Sequence, residues 1–213
     1  MLPPIYRCWA AKVNKQDQSC LGVVLAGGLS SRMGQDKAQL MRNNTKMLDF
    51  SQQILKAVGI NNIVISGNQY QVPDLIENAG PVGGIYSVIK HYQPHAILVL
   101  PVDLPLITAE ALSQLKQTGE LSQKACYFQG HNIPLYLPNT GYLELFLSQA
   151  FNNPTVVNRM ADATNKAQSK KSGPSIKALL SQIPHQSLAL NDETILFNTN
   201  TPEQWQQAQN KFS

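Results

Sequence analysis

LGVVLAGGLSSRMGQDKAQL, residues 21 to 40, is the stretch from which the fold is read. It opens on an apolar run, Leu21 to Ala26, of the kind that forms a strand buried on both faces. Gly27 and Gly28 follow at once, then Ser30, Ser31, Arg32, Gly34, Asp36 and Lys37. A glycine pair directly after a buried strand lets the backbone turn sharply and approach a ligand with no Cβ in the way. Its N–H groups can then point at an anion, and Arg32 and Lys37 add full positive charges. Two familiar phosphate loops do not match. A Walker loop needs Lys and Ser/Thr after its last glycine, whereas Gly34 precedes Gln35; a dinucleotide loop needs alternating glycines, whereas Gly27 and Gly28 are adjacent. The expectation is a phosphate-binding loop of a third type, against the plainer reading of a strand-to-loop turn with two solvated cations.

Outward from this stretch the chain alternates. Met47, Phe50, Ile54, Leu55 and Val58 recur at helical spacing and Gly59 stands where a helix stops. NIVIS (62–66) predicts a second short strand, PVGGIYSVIKHY (81–92) a helix, and AILVLPV (96–102) the most strongly apolar strand. Thr108 is placed to cap a helix that turns Leu112 and Leu115 inward. Strands are also expected at 124–128, 133–138, 187–190 and 195–198, with helices around 142–151 and 177–183 and a long polar loop at 152–175. Thr201, Pro202 and Gln204 spell a helix start with a capping box. This grammar predicts an α/β fold: a three-layer, Rossmann-like, mostly parallel sheet with helices on both faces.

Composition narrows the function classes. A chain of 213 residues, 43% hydrophobic and 14% charged, is expected to form one globular domain over 21–213, preceded by an arm at 1–20. The net charge of +4 is too mild to announce nucleic acid and suits small phosphorylated ligands. No run approaches the roughly 18 apolar residues of a membrane span. Arg7, Lys12, Lys15 and Asp17 interrupt the first 20 residues, so no signal segment is read there. Cys8, Cys20 and Cys126 show no paired metal spacing, and reduced thiols in the cytoplasm are expected.

Ligands of open α/β sheets sit beyond the carboxyl ends of the strands. Three such ends carry polar groups: 26–37, 66–68 and 101–105. In LPVDLPL, Asp103 follows a buried strand between two prolines, a hard oxygen ligand suited to a nucleotide-bound Mg2+. Asn68 and Asp74 could accept the N1–H and N2–H₂ donors of guanine, with Glu77 a rival in the same loop; either is equally at home as a turn residue.

LAGGLSSRMGQDKAQL (25–40) resembles, nearly letter for letter, the signature of the molybdenum cofactor guanylyltransferase family, enzymes of the nucleotidyltransferase class that join GMP to molybdopterin. The resemblance implies a nucleotidyltransferase-type fold, GTP and molybdopterin as substrates, and Mg2+ as cofactor. Transient contact with other cofactor-biosynthesis proteins or target molybdoenzymes is a further implication. It assigns Leu25, Ala26, Gly27, Gly28, Lys37, Asn68, Asp74 and Asp103 to the nucleotide, and Lys37, Arg32 and Asp103 to catalysis, with Asp103 as metal ligand. Pro101, Asp103 and Pro105 match the family's metal motif, with Val102 where the family often has Cys. GPVGGI (80–85) stands for the family's GPLxGI, six residues after Asp74. FNTNTP (197–202) is similar to NVNTP, which gives Asn198 and Asn200 a place near metal and pterin, with Thr199 replacing Val. Lys166, Lys170, Lys171 and Lys177 are candidates for the pterin phosphate or simply solvated. Two alternatives stay open: a related transferase using CTP or a sugar phosphate, and a nonenzymatic nucleotide-binding homologue.

Overall fold

The computed structural model describes residues 20–27, 36–152 and 173–212. The N-terminal arm, Gly28, Ser30, Ser31, Arg32 and Gly34, and Lys166, Lys170 and Lys171 lie outside the described residues. The expected strands form: β1 (Leu21–Leu25) and β5 (Ala96–Pro101) are buried throughout, whereas β4 (Ile63–Ser66), expected to be buried, is buried only at alternate residues because it lies at the sheet edge. With β6 (Ala125–Phe128), β7 (Leu135–Pro138) and β8 (His185–Leu188) they make a six-stranded sheet in the order β4-β1-β5-β7-β6-β8. β7 alone runs against its neighbours. The register sets Leu25 opposite both Ser66 and Pro101, so three strands end at one level.

The two faces of the sheet are separated residue by residue, as a period of two requires. Val23, Ile97 and Val99 face one core with α2 (Gly80–Tyr92), α4 (Gly141–Phe151) and α5 (Ile176–Leu180). Val24, Leu98 and Leu100 face the other with α1 (Met47–Ala57), α3 (Ala109–Ser122) and α6 (Pro202–Gln209). Three layers with helices on both faces are therefore what the chain builds. Local signals explain the helix starts. The Thr108 side chain accepts from Ala111 N at 3.3 Å, and the Thr201–Gln204 capping box forms in both directions.

Three sequence expectations need correction. The segment 195–198 is not a strand: Glu193–Leu196 is a 3-10 turn whose cap, Asp192, accepts from Thr194 N. The strand expected at 187–190 starts two residues earlier, because β8 pairs its His185–Leu188 with Ala125–Phe128. A small hairpin, β2 (Met41–Arg42) and β3 (Thr45–Lys46), was not anticipated. Asn43 and Asn44 turn it, both with positive φ (41° and 47°), as a two-residue hairpin demands. Arg42 from this hairpin stacks over Phe50 and Phe212 and donates Nε–H to Pro105 O at 2.7 Å. It thereby braces the loop that follows β5.

Gly119 in α3 shows how closely helix and sheet approach. A Cβ there would fall inside the ring of buried Tyr136 on β7. Gly119→Ala should therefore destabilise the protein by about 2 kcal/mol, overpacking outweighing the gain of about 1 kcal/mol in helix propensity. Urea unfolding measures the difference, and a more stable variant would refute this account of the contact.

Candidate active site

The site forms where β1, β4 and β5 end together. Val102 N donates to Leu25 O at 3.2 Å, and Ala26 N and Gly27 N both donate to Ser66 O, at 3.0 and 3.1 Å. The expectation of free amides for an anion therefore does not hold at Ala26 and Gly27, whose N–H groups are taken up in joining the strand ends. Gly27 instead admits the loop after β4: a Cβ on it would lie 3.2 Å from Gly67 Cα.

Lys37 opens the 3-10 turn Lys37–Gln39, which Asp36 caps by accepting from Ala38 N at 3.0 Å. The turn aims the Lys37 ammonium at two partners far away in sequence, Asp103 Oδ2 at 3.1 Å and Asn200 Oδ1 at 2.6 Å. The side chains of Lys37 and Asp103 are only 18% and 17% exposed, so this pair is shielded from much of the screening that weakens surface ion pairs. Asp103 Oδ1 is buried and has no hydrogen-bond partner among the described residues. Buried carboxylate oxygens are normally satisfied, which makes Asp103 a candidate functional position.

The chain around Asn200 is fixed by main-chain bonds. Thr199, 1% exposed, donates from N (3.0 Å) and Oγ1 (3.2 Å) to Asp103 O. Gln204 Oε1 accepts from Asn200 N at 2.7 Å and from Thr201 N at 3.1 Å. The replacement of the family's Val by Thr199 thus adds a bond between the two segments that meet at Lys37. Asn198 is exposed and is not brought to Lys37 by any such bond.

Across the strand ends lies the loop 67–79. Asn68 Oδ1 accepts from Asp74 N at 3.2 Å, so the amide of Asn68 is partly engaged in shaping its own loop. The half-buried Asp74 carboxyl sits between the strand end and α2: its two oxygens come within 3.7 Å of where Cβ atoms on Gly27 and Gly84 would stand. Burial raises the Asp74 pKa above that of an ordinary carboxyl. Glu77 is exposed in the same loop, so Asp74 is the carboxylate brought to Gly27. Tyr70, whose hydroxyl donates to Asp36 Oδ2 at 3.0 Å, was not singled out by sequence reasoning, and Asp36 and Thr199, noted in their motifs, were given no role there.

Residues 22–147 match the model of the MobA-like NTP transferase domain, more than half of the chain. The chain belongs to the MobA-like NTP transferase family. Within it, the chain is 35% identical over 191 residues to the molybdenum cofactor guanylyltransferase of Xanthomonas euvesicatoria pv. vesicatoria, covering 86% of this chain and 91% of that one. It is 32% identical over 106 residues to the probable molybdenum cofactor guanylyltransferase of Flavobacterium johnsoniae, covering 46% of this chain and 56% of that one. The crystal structure of molybdopterin-guanine dinucleotide biosynthesis protein A from Archaeoglobus fulgidus superposes with a TM-score of 0.62 at 18% identity, over 90% of this chain and 97% of that one. At that identity it supports the fold alone. This MobA-like chain is accordingly a nucleotidyltransferase of α/β type, and the ends of β1, β4 and β5 are its candidate active site. No helix among the described residues is long and apolar enough to cross a membrane.

Proposed function

We propose that this MobA-like transferase moves GMP from GTP to molybdopterin, within a single domain spanning 21–213. The observation that carries the reading is the Lys37 ammonium held between Asp103 and Asn200, beside a buried carboxylate oxygen with no partner among the described residues. The 35% identity to a molybdenum cofactor guanylyltransferase supports the choice of substrates. In the proposed reaction an oxygen of the terminal phosphate of molybdopterin attacks the α-phosphorus of GTP in line. The bond between the α-phosphorus and its bridging oxygen breaks, and pyrophosphate leaves with the electron pair. Such chemistry asks for positioning and charge neutralisation rather than a covalent nucleophile.

The side chains divide that work. Lys37 offsets negative charge on the transferring phosphoryl group, with Arg32 of the same motif in the same role. Asn200, fixed by Gln204, holds the Lys37 ammonium on the Asp103 side of the site. Leu25, Ala26, Gly27 and Gly28 line the nucleotide side, and Asn198 and Asn200 the acceptor side. Asp74 and Asn68 take the guanine edge. A Mg2+ ion would be held by Asp103, and when bound it neutralises phosphate charge. The donor set fits this ion, because Asp103 has a spare buried oxygen and Mg2+ commonly takes one or two carboxylates plus phosphate oxygens and water. Among the described residues no cluster of three His, Cys, Asp or Glu side chains forms a dedicated metal cage.

The test is transfer of label from GTP or CTP to molybdopterin, in parallel, with Mg2+. Label from GTP is expected; label from CTP alone would overturn the guanine reading, and tight GTP binding without transfer would overturn the enzymatic one. In the same assay Asp74→Asn should raise the KM for GTP by about 10- to 100-fold, the effect of losing charge-assisted hydrogen bonds. Because burial raises the Asp74 pKa, the carboxyl takes up its proton at a higher pH than an exposed one. GTP affinity should therefore fall as the pH is lowered through that raised range, and Asp74→Asn should flatten the dependence. An unchanged pH profile in the variant would remove Asp74 from the base site.

A further inference from the structure

Tyr70 belongs to none of the motifs above, yet it touches two separate parts of the site. Its hydroxyl donates to Asp36 Oδ2 at 3.0 Å, while Asp36 Oδ1 caps the Lys37 turn through Ala38 N at 3.0 Å. Its ring lies on Gly67: a Cβ at Gly67 would be 3.0 Å from Tyr70 Cδ2 and 2.9 Å from Gly27 N. Gly67 has φ of +150°, where a side chain would be strained even without these neighbours. Tyr70 N also donates to Gly67 O at 2.9 Å, closing the turn that presents Asn68, and Asn68 in turn holds Asp74 N. One side chain therefore ties the loop that carries the base-reading candidates to the turn that carries the catalytic lysine. We propose that Tyr70 is a positioning residue, coupling the Asn68–Asp74 loop to Lys37 through Asp36.

The chemistry suits the role. A phenol donating to a carboxylate makes a charge-assisted bond, stronger and more directional than a neutral one. Burial, and then the bond to Asp36, raises the Tyr70 pKa, so the hydroxyl stays a donor at working pH. A second carboxylate oxygen on the Ala38 amide fixes the plane of Asp36, leaving it little freedom to rotate away. Lys37 is the next residue, so the direction of its side chain follows from this turn.

The substitution Tyr70→Phe keeps the ring over Gly67 and removes the hydroxyl's contacts with the lysine turn, the bond to Asp36 and the interaction with Gln39. The proposal rests on the guanylyl-transfer reading for its kinetic readout, and hydrogen exchange supplies one that needs no turnover. The variant is expected to lower kcat about tenfold while changing the KM for GTP by less than about threefold, as for loss of an interaction that matters in the transition state. Exchange of the Ala38 amide should accelerate about tenfold, with the β1 amides Val23 and Val24 as wild type. Wild-type exchange at Ala38 overturns the proposal, as does faster exchange with wild-type kcat. A loss of activity that follows only a lower Tm, with kcat per folded molecule and KM unchanged, also overturns it and leaves Tyr70 a packing residue. If the wild-type enzyme transfers no GMP, the functional reading fails by itself, and the Ala38 comparison still decides whether Tyr70 holds the turn.

Discussion

Asp103→Asn is expected to leave the protein folded and to lower nucleotidyl transfer by about a thousandfold, the scale seen when a preorganised charge is removed from a transition state. The amide has nearly the shape of the carboxylate, so Leu104 and Val102, both buried, keep their packing. The bonds that Thr199 makes are to the main-chain carbonyl of residue 103 and survive the change. Lys37 keeps Asn200 at 2.6 Å and is not stranded without a partner. What disappears is the negative charge that balances Lys37 and the hard oxygen assigned to the metal. Single-turnover transfer of label from GTP, with circular dichroism to verify folding, measures the effect. A rate within tenfold of wild type would take Asp103 out of the mechanism.

Lys37→Ala should be as damaging by the opposite route. It removes the one described cation that bridges the β5 end and the 197–202 segment, and it leaves both Asp103 oxygens without a donor among the described residues. Loss of transfer by about a thousandfold is expected, with KM for GTP raised as well, because a lysine facing phosphate serves both ground and transition state. The two substitutions should not multiply. Groups that act as a unit are strongly non-additive, so Lys37→Ala combined with Asp103→Asn should fall near the worse single variant, far short of a million-fold loss. A fully multiplicative double variant would show that the 3.1 Å contact has no bearing on the reaction.

Much of this arrangement was legible in the residues. Leu21–Leu25 and Ala96–Pro101 are apolar on both faces, a pattern that only a strand covered by helices on both sides can satisfy, and the polar groups placed after them mark the ligand end. The capping box at Thr201 states its own geometry because all its partners lie within one turn. Other parts could not be read this way. ILFN at 195–198 is a short apolar run, and periodicity does not separate a strand from a buried 3-10 turn when Leu196 alone needs cover. The reversed direction of β7 depends on how its connections cross the sheet, about which its apolar residues are silent. Lys37 and Asn200, 163 positions apart, carry no local sign of each other, and neither do Asp36 and Tyr70. The roles given to Asn68 and Asp74 rested on acceptor chemistry beside a strand end and on likeness of motif; their mutual bond shows that Asn68 also builds the loop it belongs to.

The joint between Asp103 and the Thr199–Asn200 segment has a consequence for how this protein can fail. The last strand of the sheet ends at Leu188, whereas Asn200 reaches Lys37 across 163 positions. The sheet itself does not require this contact, which the segment after β8 makes. A molecule altered at Asn200 alone would keep every strand and both cores while Lys37 lost its second partner. Such a molecule should pass ordinary tests of integrity, such as secondary structure and a clean elution profile, with its Lys37 less firmly held. A folded fraction of this protein is therefore not by itself a measure of an active one.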